Sequence, residues 1–302
     1  LMKLMSRIAC VQPTCFNDAL AYALGQIGWL ATPKWRRYMA KENVKECLGV
    51  SETEAERIAK ESVTRFGRML IEVLRYPLIN QANFRNLVHF EGLEHLEEAY
   101  AEGRGVIMCT AHYGNWEMLG ASMALLGYPI LSITRKQNDG DADRFINEYR
   151  QMVGQHVTYN HGKSSMLSIG RYLKDKHLVG ILYDQDSAHT GEHLELFGKP
   201  ARVPDGAAQL ARVFKAPIVP LFMHNQPDGT LTAVIHPCFH ADPQLSREEN
   251  SHVIMEKLIR IAEEEIRRDP AMWFWVHDRW KDGKKRYRDR KHFSTPMTGN
   301  RT

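Results

Sequence analysis

Short, fully apolar runs that alternate with helical patterns limit this chain to few architectures. Val106 to Thr110, Ile130 to Thr134, Leu178 to Tyr183 and Ile218 to Phe222 have strand length and apolar content. Helical spacing occupies the intervals: Glu117 to Leu126, ended by Gly127, then stretches near Asp141 to Val153, Ser165 to Lys174 and Asp205 to Phe214. Runs with no polar face belong in a sheet covered on both sides, and helices between strands supply the crossovers that parallel pairing needs. The expected fold class is therefore α/β: a mostly parallel central sheet flanked by helices. Leu231 to Ile235 reads as a further strand and Arg247 to Arg268 as a charged amphipathic helix.

Upstream of this alternation the pattern is helical. Phe16 to Thr32 carries one charge, Asp18, and places Phe16, Leu20, Leu24, Ile27 and Ala31 at helical spacing. Seventeen residues diluted by Gly25, Gln26 and Gly28 suit a helix lying in a membrane surface better than a span, with Lys34, Arg36 and Arg37 following. A helix packed on the main domain satisfies the same spacing. Ser51 to Glu54 forms a capping-box pattern ahead of a stripe of Ala59, Val63, Phe66, Leu70 and Val73 that Pro77 stops. Residues 1–80 are expected to form a helical, membrane-associating or core-packed segment, 81–294 the α/β domain, and 295–302 a disordered tail.

Composition excludes two broad classes. Apolar content of 43% and charged content of 25% fit neither a disordered chain nor a multi-span membrane protein. Five scattered cysteines without a C-x-x-C pair predict no disulfide framework and no zinc site. The formal charge is only +4, yet eight Lys or Arg against two Asp lie between Arg279 and Lys291, with Trp280 and Tyr287 interleaved. That run suits an anionic membrane surface, an acidic carrier protein or nucleic acid, or is simply solvated. P-loop, dinucleotide-binding and nucleophile-elbow motifs are missing, against nucleotide-driven, dinucleotide redox and ordinary serine hydrolase chemistry.

His112 follows directly on a strand pattern, and side chains at carboxyl strand ends are those an open α/β sheet presents to ligands. Glu117 lies five residues on, about 140° away in an unbroken helix, so the two meet only if the chain turns at Gly114-Asn115. His112 would then serve as a base and Glu117 would hold its other ring nitrogen. A strand cap and a helix-favouring carboxylate would produce the same spacing. A second polar cluster, Asp184-Gln185-Asp186 with His189, Glu192 and His193, offers charge-balancing groups, or ligands for a metal. Arg135 and Arg150 are candidates to hold an anion, or are solvated surface. Cys109, inside an apolar run, reads as packing.

From about Asn17 to Lys281 the chain resembles the lipid A biosynthesis late acyltransferases, the lauroyl and myristoyl transferases of Gram-negative bacteria. The likeness rests on Thr110 to Glu117, Asp184-Gln185, Phe197 to Ala201, Ala216 to Pro220 and Trp275 to Lys281. It departs at Leu196, where an aromatic is common, and at Asp278, where a basic residue is common. The resemblance implies that His112 is the general base oriented by Glu117, that Arg150, Asp184 and Arg135 orient substrate or hold the oxyanion, and that Asn115, Trp116 and Gln185 bind substrate. It further implies no metal or other cofactor, an acyl carrier protein thioester as donor and a lipid A precursor hydroxyl as acceptor. The expected location is the cytoplasmic face of the bacterial inner membrane, with no nucleic acid partner. Three alternatives remain open: an acyl-CoA-dependent phosphatidylinositol mannoside acyltransferase, a metal-dependent hydrolase built on Asp184, Asp186, His189 and His193, and a non-catalytic membrane module.

Overall fold

The computed structural model describes residues 2–136, 139–160, 162–186 and 191–293, so the expected 295–302 tail lies outside the described residues. Four helices come first: α1 (Met2–Val11), α2 (Thr14–Ala31), α3 (Lys34–Leu48) and α4 (Glu52–Leu74). Pro13 and Pro33 stand just ahead of α2 and α3, where their fixed φ costs no helical hydrogen bond. Ser51 caps α4 by accepting the Glu54 amide, as its capping pattern predicts, and a 3-10 turn at Tyr76–Leu78 follows the helix end.

The buried seam of α2 is Asn17, Ala21, Gly25 and Trp29, rotated from the expected stripe. A Cβ on Gly25 would stand 2.4 Å from the Thr64 Cα, and one on Gly67 would stand 2.9 Å from the Gly25 amide nitrogen. Close approach of α2 to α4 selects the small residues for the seam and turns Phe16, Tyr22, Ile27 and Leu30 outward, the last 70% exposed. The α4 stripe is corrected likewise at Leu70, which is 44% exposed while Met69 and Ile71 are buried. Among the described residues no helix is long and apolar enough to cross a membrane.

Beyond α4 come β1 (Val88–Glu91), α5 (Leu93–Ala101), β2 (Val106–Thr110), α6 (Trp116–Leu125), β3 (Ile130–Thr134) and α7 (Gly140–Met152). Then follow β4 (Gln155–Tyr159), α8 (Lys163–Lys174), β5 (Leu178–Leu182), the hairpin of β6 (Glu192–Leu196) and β7 (Lys199–Val203), and α9 (Gly206–Phe214). The last elements are β8 (Ile218–Asn225), β9 (Leu231–Ile235), α10 (Arg247–Arg268) and α11 (Gly283–Phe293). Seven strands form one sheet in the order β1-β9-β8-β2-β5-β3-β4, parallel except for the antiparallel β8–β9 pair.

Every residue of the central strand β2 is buried. Its side chains alternate between two cores, Ile107 and Cys109 on one face, Val106 and Met108 on the other, as a strand covered on both sides requires. Cys109 is 0% exposed, and burial pushes its thiol well above the usual range, in keeping with a packing role. The expected strands and helices recur within a few residues, whereas β1, β4 and the β6–β7 hairpin carry too many polar residues to read as strands from pattern alone.

Candidate active site

Register brings the site together. Thr110 at the end of β2 pairs with Leu182 at the end of β5, so two residues further on His112 and Asp184 stand side by side. The His112 ring donates from Nδ1 to Asp184 Oδ1 at 2.7 Å, and its backbone amide donates to Oδ2 at 3.0 Å. The Trp273 indole donates to the same Oδ2 at 2.8 Å. Its segment is tied to the His112 loop by Phe274 N–H to His112 O at 3.1 Å and Gly114 N–H to Met272 O at 2.9 Å. Asp184 is 4% exposed. Burial would raise its carboxyl, but the His112 charge, the His112 ring and amide donors and Trp273 outweigh burial and hold it down to about 2.

With Nδ1–H engaged by Asp184, the lone pair of His112 lies on Nε2, which receives the Gln185 amide at 3.1 Å. The Trp116 ring stands edge-on to the imidazole, centroids 5.0 Å apart. One face of the reactive nitrogen is thus defined by an aromatic wall and a polar amide, and the ring remains partly exposed.

The turn expected at Gly114-Asn115 is present and sterically fixed. Gly114 has φ +58°, and a Cβ there would fall 1.8 Å from the Met223 carbonyl oxygen, so only glycine fits. Asn115 caps α6 by accepting the Met118 amide at 2.8 Å, and its own amide donates to Glu72 Oε2 at 2.5 Å. Asn115 is 1% exposed, with both ends of its side chain engaged.

The expected contact of Glu117 with His112 does not form among the described residues. Glu117, in the first turn of α6, points to Arg150 on α7, which donates from Nε at 2.8 Å and from Nη2 at 2.6 Å. Asp184 reaches the imidazole first because strand register places it there, whereas the α6 helix carries Glu117 to the far side of the turn. Glu117 and Arg150 line a narrow, largely apolar space between α6 and the sheet, with Trp116, Met108, Leu119, Ile130, Ile181 and Leu221. Gln155 and Ser132, hydrogen-bonded at 2.6 Å, line it too.

Arg135 is exposed on the loop after β3, and no described contact links it to His112. Of the alternative metal cluster, Asp184 is held by three N–H donors, Asp186 lies 3.9 Å from the Lys281 ammonium, His193 is exposed on β6, and His189 is outside the described residues. Among the described residues no group of three His, Cys, Asp or Glu is placed to share a metal ion. Trp273 escaped sequence reasoning, because an indole hydrogen bond across 89 residues has no local pattern. The crowding of tryptophans at 273, 275 and 280 was its one visible signal.

A family profile described as "Bacterial lipid A biosynthesis acyltransferase" matches residues 11–282. The chain is 27% identical over 223 residues to a phosphatidylinositol mannoside acyltransferase of Mycobacterium tuberculosis, covering 66% of this chain and 70% of the relative. It is 26% identical over 262 residues to the lipid A biosynthesis palmitoleoyltransferase of Escherichia coli, with 85% and 83% covered. Against a lipid A biosynthesis acyltransferase of Haemophilus influenzae it is 24% identical over 272 residues, with 87% and 81% covered.

Proposed function

This chain belongs to the bacterial lipid A biosynthesis acyltransferase family and is an acyltransferase, and from that premise we propose that it moves a fatty acyl chain from an acyl carrier protein thioester to a hydroxyl of a lipid A precursor. The observation that carries the reading is the His112–Asp184 pair, with Nδ1 held at 2.7 Å and the Nε2 lone pair met by Gln185 at 3.1 Å on a partly exposed ring. His112 Nε2 takes the proton of the acceptor hydroxyl as its oxygen attacks the thioester carbonyl. The new C–O bond forms, the C–S bond breaks, and the proton passes from the imidazolium to the departing thiolate. Asp184 is the positioning residue: it fixes the tautomer and stabilises the imidazolium. The acyl chain takes the apolar space beside Trp116, and the Glu117–Arg150 pair holds α6 against α7 at its wall.

Two surfaces support a membrane-bound glycolipid and a carrier-bound donor. Val11, Phe16, Tyr22, Ile27 and Leu30 make an outward apolar face on α1 and α2, followed by Arg36 and Arg37, an arrangement for lying in a membrane surface at the cytoplasmic face of the inner membrane. Lys284, Lys285 and Arg288 are exposed on α11 and oppose the charge of an acidic carrier protein. The mycobacterial relative favours one second reading, in which the acceptor is a phosphatidylinositol mannoside and the donor acyl-CoA.

Mass spectrometry of lipid products, with acyl carrier protein or acyl-CoA as donor and each glycolipid as acceptor, separates the two. The proposal expects one added acyl chain on the lipid A precursor with the carrier-protein donor. Charge reversal at Lys284, Lys285 and Arg288 should raise KM for that donor alone. Acylation confined to the mannoside with acyl-CoA would select the second reading.

A further inference from the structure

Among the described residues, buried polar side-chain atoms without a hydrogen-bond partner concentrate in one place: six of thirteen belong to residues 277–282. They are Nε, Nη1 and Nη2 of Arg279, Nε2 of His277, Nε1 of Trp280 and Oδ1 of Asp282. Arg279 is 1% exposed, and a buried guanidinium with no acceptor is among the most costly arrangements a protein can hold. Arg150 is engaged by Glu117, so Arg279 is the buried arginine beside the site whose donors have no hydrogen-bond acceptor. The segment belongs to the active centre. The Trp280 ring stands 6.3 Å from that of Trp273, whose indole holds Asp184, and Lys281 lies 3.9 Å from Asp186. Asp184 and Asp186 are near enough to act on the Arg279 charge, and burial pushes His277 down to about 4, leaving it neutral.

We propose that Arg279, with the unpartnered ring nitrogens of His277 and Trp280 in the same segment, is a phosphate-binding element that receives the phosphate of a substrate bound at His112. The proposal rests on the acyltransfer reading, because that reaction offers two phosphate-bearing molecules: the phosphopantetheine arm common to carrier-protein and CoA donors, and the head group of a phosphorylated glycolipid. A planar fork of N–H donors suits a phosphate oxygen pair, and an approaching phosphate supplies acceptors to the unpartnered Arg279 nitrogens.

The test compares wild type with Arg279→Met and Arg279→Lys. Free phosphopantetheine against pantetheine, and glucosamine 1-phosphate against glucosamine, are scored by the shift in unfolding temperature. This binding arm needs no turnover, so its outcome is separable from failure of the acyltransfer reading. One phosphorylated probe should stabilise wild type more than its stripped counterpart, and the pair that does so identifies the source. The difference should vanish in Arg279→Met and persist in part in Arg279→Lys. In turnover, Arg279→Met should raise KM roughly tenfold to a hundredfold for the substrate whose phosphate probe is bound, and not for the other. Relieved of an unpartnered charge, ligand-free Arg279→Met should unfold at or above the wild-type temperature. Equal responses of wild type and Arg279→Met to both probe pairs, or a ligand-free Arg279→Met that unfolds well below wild type, would overturn the proposal.

Discussion

His112 stands where β2 runs out and Asp184 where β5 runs out, and their meeting is a consequence of strand register rather than of local spacing. His112 was therefore legible as a strand-end histidine, while its partner was not, because a linear sequence does not display which strands are neighbours. Glu117 drew the orienting role by proximity, yet it forms a buried bidentate pair with Arg150. Removing one partner of such a pair leaves the other charged and unsatisfied. Glu117→Ala should lower stability by about 3–5 kcal/mol, as removal of one buried partner typically does. Denaturant titration of the variant against wild type checks this; an unchanged stability would contradict the ion-pair role. Asp184 adds a pH signature. Its folded value of about 2 lies below its ordinary 3.8, so its contribution is complete above the ordinary value and is lost as pH falls through about 2. Asp184→Asn should flatten the acid limb of stability across that window, measured by unfolding temperature against pH.

At the scale of elements, α2 and α4 show what periodicity reveals and where it stops. Both helices were legible in hydrophobic spacing, but which face is buried depended on how closely they cross. Gly25 and Gly67 let the backbones approach, so small residues took the seam and large ones were turned away. Gly25→Leu should force the pair apart and cost about 1–3 kcal/mol, the usual range for overpacking, seen as a lower denaturation midpoint. An unchanged midpoint would mean that the crossing is not tight. The strands that pattern missed, β1, β4, β6 and β7, lie at the sheet edges or in the separate ribbon. There one face meets less of the core, and polar residues such as Gln155, His156 and Thr158 break the apolar signal.

Across the whole molecule, an apolar face on the N-terminal helices, a histidine at the carboxyl end of the sheet, an apolar space beside it and a basic C-terminal helix are the features on which the proposed meeting of a lipid acceptor with an acidic donor rests. Ile27→Glu with Leu30→Glu should reduce co-sedimentation with anionic vesicles while leaving the unfolding temperature near wild type, because both side chains are exposed. Vesicle binding that survives both substitutions would move the membrane contact elsewhere. The α/β architecture was visible in the alternation of runs; the site's own geometry required the order of strands, which only long-range pairing sets. The most direct test of the account is acyl transfer to the glycolipid acceptor by a folded His112→Ala protein, quantified by mass spectrometry of the lipid. Loss of roughly a hundredfold to ten-thousandfold in rate, in a protein that remains folded, is the expected result. Transfer at the wild-type rate by that folded variant would contradict the assignment of His112 as the base.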